Sequence, residues 1–357
     1  MRLLAAIIFV LTASSALAAP VIPFHDMIVG VIDDFARPKF AAFADRTAAL
    51  RGKVAALCQA PSADALTAAQ GGFRDTVLSF SAIEFVQMGP LKVDDRLERL
   101  LFWPDKKGIA LRQVQQALAS KDATAAAPET LRDKSVAMQG LAAVEFLLFG
   151  TGAEDLASAN GSYRCNYTAA ATTLIDGVAK TLSGEWADKA PGAASDAMLN
   201  PSPSSSDYRT ELEVINKIAA TLSLGNDTIR DQRLSPVLSL STGTPKPRTA
   251  LFWRSGMTAK ALGANFTGLL DFFHAAKFGA ALDPASAWVG QGIEFELKGA
   301  IEAANEVPTD TDLAVTDPEA MLGLKQMYIE TGSLDTLNES LSQALGLSGG
   351  FSSLDGD

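Results

Sequence analysis

At 357 residues, with a formal charge of −11, 48% hydrophobic and 7% aromatic residues, two cysteines and two histidines, the chain sets several limits. Its acidic field carries no basic stripe, which excludes nucleic acid as a partner, and its Ala- and Leu-led composition favours helices over sheets. Two histidines fall short of the two or three imidazoles of a zinc hydrolase unless distant positions converge.

The chain opens with Arg2, an apolar run from Leu3 to Leu11 and small residues ending in Ala16-Leu17-Ala18, the order of a secretory signal. The run is too short to span a bilayer, so residues 1–18 read as a signal peptide cut after Ala18. No later run of about 18 apolar residues follows, so no membrane span is expected. The remainder exceeds the roughly 250–300 residues at which single cores divide, and two helical halves are expected.

Between His25 and Cys58 the apolar spacing predicts a helix, with Ile28, Ile32 and Phe35 on one face and Phe43, Leu50, Val54 and Leu57 continuing one. Pro38 is placed to kink or interrupt it. Ser62 caps a second helix, predicted to run to Met88 and stop at Gly89-Pro90. A third is predicted over 107–120 and a fourth over 128–149, which Gly150 ends in a left-handed turn. A fifth covers 163–186. Residues 191–206, rich in Pro, Ser, Ala and Gly, read as an irregular linker. It separates an N-terminal bundle over 19–190 from a C-terminal bundle with a terminal tail over 207–357. Beyond it, helices are predicted over 208–224 and 253–280, and after the cap-then-proline pairs Asp283-Pro284 and Asp317-Pro318, the last running to about Leu345.

A weak echo supports two halves: Leu101-Phe102-Trp103 recurs as Leu251-Phe252-Trp253, and Val144-Glu145-Phe146 as Ile293-Glu294-Phe295. Such triplets also arise by chance in Ala/Leu-rich helices, and duplication stays open on this ground. The even cysteine count in an exported chain predicts a Cys58–Cys165 disulfide, with two unpaired thiols as the alternative.

Glu145 sits in a helix that is apolar nearly all round, so its carboxyl must be protonated, ion-paired or bound to a ligand. Arg96 and Arg99 are its natural local partners, giving either a structural ion pair or a ligand-binding acid. Ala142, three residues earlier on the same face, supplies no lone pair where a histidine would complete a metal-binding pair. His25 and His274 read as packed or helix-end residues. Glu84, Glu145 and Glu294 each follow Ile or Val and precede Phe, so they are candidates for a shared oxygen site for a hard cation, with chance repetition as the alternative. The absence of Glu-x-x-His disfavours a di-iron centre. No Gly-x-Ser-x-Gly, phosphate-binding loop or dinucleotide fingerprint is present.

Four stretches together resemble the imelysin family of iron-regulated periplasmic proteins: Met88-Gly89-Pro90-Leu91 followed by Arg99 to Asp105; Gly140 to Gly150; Trp253-Arg254-Ser255; and the terminal Gly350 to Asp357. The resemblance implies an all-α fold of two bundle-like halves related by duplication, with a site in the cleft between them. It also implies bacterial export to the periplasm and a link to iron acquisition with iron-uptake proteins of the cell envelope as partners. The family's Gly-x-His-x-x-Glu motif, described for a metallopeptidase, is matched by Gly140 and Glu145 and broken at Ala142.

Binding is therefore favoured over cleavage: an accessory protein of iron uptake that holds a cation, a chelate or a partner in the cleft. The alternatives are a metallopeptidase with another metal set and an interaction scaffold. No cofactor is fixed by the residues, iron or another divalent cation being the candidate. The residues expected to line or support the cleft are Glu145, Arg96, Arg99, Arg254, Ser255 and Asp355. Arg254 and Ser255 are chosen because a helix start leaves free backbone donors, and Asp355 because it lies in an Asp-Gly-Asp tail.

Overall fold

The computed structural model describes residues 20–105, 107–239 and 244–347, which contain helices, turns and irregular segments but no strand. The signal segment and Asp355 lie outside the described residues. Among the described residues ten α-helices have seven or more residues: α1 (Phe24–Gly30), α2 (Arg37–Gln59), α3 (Ala63–Ser81), α4 (Ile109–Ser120), α5 (Gly140–Phe149), α6 (Ser162–Ala187), α7 (Glu211–Asp227), α8 (Thr258–Ala275), α9 (Ala287–Glu306) and α10 (Pro318–Ala344). The expected all-α fold is what the chain adopts. Among the described residues no helix is long and apolar enough to cross a membrane.

Helix α2 packs on α3 and α6, and α5 packs on α6 and α3. In the second half α8 packs on α9, α9 on α10, and α7 on both α8 and α10. The halves meet where α3 packs on α8 and α1 on α7. Phe272 receives Phe35 and Phe85 edge-on there, at centroid distances of 5.2 and 5.4 Å, a geometry that adds about 0.5–1.5 kcal/mol per pair beyond burial. One continuous apolar core results, running through both halves. Cys58 and Cys165 are joined by a disulfide that ties the end of α2 to the start of α6. It closes a separation of 107 residues, which in the chain-entropy model stabilises the fold by about 4–5 kcal/mol.

Several predicted boundaries shift, each for a local reason. At Pro38 the helix is interrupted and not ended: a π-helical turn over Val31–Ala36 joins α1 to α2, because proline can neither donate to nor sit against the carbonyl one turn earlier. Ser62 caps α3 as expected, accepting from the Ala65 amide at 3.1 Å, but α3 ends at Ser81 instead of Met88. The Asn265 side chain accounts for that stop by donating to the Ser81 carbonyl at 2.7 Å from the opposite half.

The predicted 128–149 helix is broken. Gln139 donates its side-chain amide to the carbonyls of Leu131 and Lys134, both at 3.0 Å, which closes a separate short turn before α5. Gly140 then begins α5 at φ +72°, with Leu100 O only 2.6 Å from where a Cβ would stand. Gly150 ends α5 in extended backbone, not the expected left-handed turn, and is required there because a Cβ would meet Phe146 at 2.5 Å. The expected irregular stretch 191–206 contains a helix, Ala194–Leu199, which buries Ser195 and Met198. Arg37 donates toward Ser195 Oγ at 3.3 Å and anchors it.

Candidate functional site: a cleft beside a buried acid

The apolar run of α5 buries Glu145, which is 4% exposed. Its partners come from the other half of the chain, 110 residues away. Glu145 Oε1 accepts from the Ser255 amide at 2.9 Å and from Ser255 Oγ at 2.8 Å. Both lone pairs of that oxygen are then occupied, which leaves Oε2 to carry the proton or the charge. Burial pushes the Glu145 carboxyl above its ordinary range, against the lowering effect of the Ser255 donors and the nearby Arg254 guanidinium. Neutral donors compensate a buried charge only partly, and the carboxyl answers by holding its proton longer.

The turn that presents Ser255 is built by Phe252 at φ 61° and Gly256 at φ +69°. The adjoining helix, α8, starts at Thr258, beyond the expected start that put free helix-start donors at Arg254 and Ser255. The donor amide is therefore a turn amide, and its acceptor is the protein's own acid. Arg74 of α3 fixes the turn from behind: its Nε donates to the Ser255 carbonyl at 3.2 Å, and its guanidinium lies 4.9 Å from the Phe149 ring. Sequence reading missed Arg74, since nothing in its local pattern distinguishes it from an exposed helical arginine.

Glu145 forms part of the wall of a cleft of about 720 Å³. One side comes from the Phe102–Asp105 segment, α4 and α5, and the other from the segment between Arg248 and Arg254. The lining is largely apolar: Phe102, Trp103, Val114, Phe146, Leu251 and Trp253 contribute to it. Trp103 bridges the two sides through its indole N–H, which donates to the Gln232 carbonyl at 3.3 Å. That carbonyl belongs to a second π-helical turn, Thr228–Leu234, which continues α7. Ala142 faces the same cleft, where the expected motif would place an imidazole.

Arg254 stacks between two rings, 4.4 Å from the Trp253 centroid and 5.4 Å from that of Phe146. Arg248 lies on Trp253 at 5.7 Å. Burial lowers the Arg254 guanidinium from its ordinary value, and Glu145 opposes that shift. The turn also borders a second, more polar cavity of about 470 Å³, lined by Arg74, Arg254, Lys260, Asp310 and Asp312 among others.

The structure brings together only part of the expected set. Glu145, Arg254 and Ser255 meet. Arg96 and Arg99 are not the partners of Glu145: Arg96 makes a two-pronged pair with Glu185 at 2.7 and 2.9 Å, and Arg99 donates to the Asp94 and Arg132 carbonyls. Both arginines precede α5 and are held by these partners of their own.

The three carboxylates Glu84, Glu145 and Glu294 do not converge either. Glu84 is bound by Arg233 and Asn265, both at 2.7 Å. Glu294 lies at the surface, bonded to Lys298 at 2.7 Å and 3.3 Å from His274. His25 is paired with Glu211 at 3.3 Å.

The imelysin family model matches residues 36–343. The chain belongs to the imelysin family. An imelysin-like protein from Psychrobacter arcticum 273-4 has the same fold, with a TM-score of 0.75 at 20% identity over 94% of this chain and 100% of that one. A "putative iron-regulated protein A precursor" from Parabacteroides distasonis ATCC 8503 aligns with a TM-score of 0.74 at 14% identity over 92% of this chain and 97% of its own. No curated protein matches the chain.

The metal ion implied by the imelysin motif does not fit the residues present. Ala142 offers no donor, Glu145 Oε1 is occupied by Ser255, and among the described residues no group of three or more His, Cys, Asp or Glu is placed to hold an ion. Four-coordinate metal sites need at least three protein donors.

Proposed function

We propose that this imelysin-family chain is an exported periplasmic binding protein associated with iron uptake. In this reading the cleft between its halves, 19–190 and 207–357, holds an organic ligand or chelate, and no peptide is cut. One observation carries the proposal: the buried acid beside the cleft has its accepting oxygen filled by Ser255, while about 720 Å³ of mostly apolar space stands open next to it. That volume lies in the range of small-molecule sites, which pair an apolar lining with a few polar groups that orient the ligand. The name of the Parabacteroides neighbour supports the link to iron regulation.

Glu145, Ser255 and Arg74 have a positioning role here. They lock the turn that carries Trp253 and Arg254 against α5. Among the described residues no group of three or more His, Cys, Asp or Glu is placed to hold a bare cation, whereas a chelate brings its own donors.

Native mass spectrometry and elemental analysis of the mature protein, isolated from iron-replete cells of its source, test this reading. The expected result is one small organic species per chain, with any iron tracking that species. Peptide hydrolysis that a chelator stops and Glu145→Ala abolishes would sink it.

A further inference from the structure

We infer that the cleft accepts an amphipathic organic anion, its acidic group clamped by the guanidinium groups of Arg248 and Arg254 at the Trp253 indole. The ligand's apolar body lies against Phe102, Trp103 and Phe146. This deepens the binding reading above and rests on it.

The charged groups around the cleft point one way. Its acids already have partners: Asp105 accepts from the Ile109 and Ala110 amides at 2.7 and 2.8 Å, Asp231 is paired with Arg230 at 2.9 Å, and Glu145 is held by Ser255. Arg248 and Arg254 differ. Among the described residues neither guanidinium has a carboxylate within ion-pair distance or donates a hydrogen bond, and each lies against aromatic rings. A guanidinium carries five donors in a fixed plane that matches a carboxylate, sulfonate or phosphate edge.

Stacking on Trp253 and Phe146 fixes the plane of Arg254 without using those donors, so little side-chain freedom is left to lose on binding. Positive charge at a low-dielectric apolar wall, in a chain of net −11, selects an anion from solution. A purely apolar ligand would leave those donors facing its body unpaired, and a cation would be repelled.

Titration of the mature protein with two fluorescent probes tests the assignment: anilinonaphthalene sulfonate, an aromatic anion, and N-phenylnaphthylamine, its uncharged counterpart. The anion is expected to bind about tenfold or more tighter than the neutral probe, and to weaken as salt is raised. Arg248→Gln and Arg254→Gln should each weaken the anion about tenfold while leaving the neutral probe unchanged. Ala142→Trp, which fills the cleft, should abolish both, with Leu111→Trp on α4 as a second block should the first fail to fold.

Equal affinity for the two probes, no binding of either to the wild type, or an Arg248→Gln/Arg254→Gln double variant that keeps its affinity for the anion would overturn the inference. If both blocking variants fold and still bind both probes, the cleft is not the binding place, and the proposed function falls with it.

Discussion

Glu84 and Glu145 are two versions of one local arrangement with opposite outcomes. Each follows Ile or Val and precedes Phe, each is 4% exposed, and each takes its partners from the C-terminal half. Glu84 meets a full cation, Arg233, and the Asn265 amide, with only about 10 Å³ of free space beside it. Glu145 meets the neutral donors of Ser255, with an open cleft on one side and Arg254 turned onto aromatic rings. A closed ion pair holds two halves together. A buried acid with neutral donors positions a turn and leaves the neighbouring guanidinium free for something else.

The contrast breaks most sharply at the closed pair. Arg233→Met leaves Glu84 buried without its cation and should cost about 3–5 kcal/mol in urea unfolding. Combining it with Glu84→Gln, which removes the stranded charge, should recover much of that loss. No loss in the single variant would mean that Glu84 reaches solvent and that the two acids are not distinct in kind.

At the open site Ser255→Ala removes one of two donors and keeps the other, since the amide stays. The expected cost is smaller, about 1–3 kcal/mol by the same measurement. A cost equal to that of Arg233→Met would show that neutral donors bear as much as the ion pair.

The smallest effect depends on pH and concerns Glu145 alone. Glu145→Gln keeps an oxygen for Ser255 and removes the titrating group. Because burial raises the folded carboxyl above its unfolded value, the wild type binds more protons folded than unfolded, and its stability falls as pH rises through the interval between the two. Measured relative to the Gln variant, wild-type stability should be greatest below the ordinary carboxylate range and decline toward neutral pH. A difference that stays flat, or grows in the wild type's favour with pH, would show that burial does not raise the Glu145 carboxyl.

How much of this is legible in the residues follows the range of the interaction. Ser62 as a cap, Asp317-Pro318 as a helix start and the apolar faces of α2 are local, and they stand where spacing places them. The family-like stretches drew attention to Glu145, Arg254 and Ser255, which do meet. Arg96 and Arg99 are close to Glu145 in sequence, yet Glu185 and the Asp94 and Arg132 carbonyls take their donors. Arg74 and Arg233 act across 181 and 149 residues, and no periodicity carries that information.

The helical composition, most helix starts and the burial of Glu145 are legible in the residues, and the even cysteine count favours the disulfide that forms, because caps, apolar periodicity and chain entropy act over short stretches or on residue type alone. Which cation or hydroxyl each buried acid finds, and which arginines face a cleft, emerge from long-range packing alone. Those choices depend on how two halves dock, and desolvation rewards whichever donor the docking brings within hydrogen-bond reach.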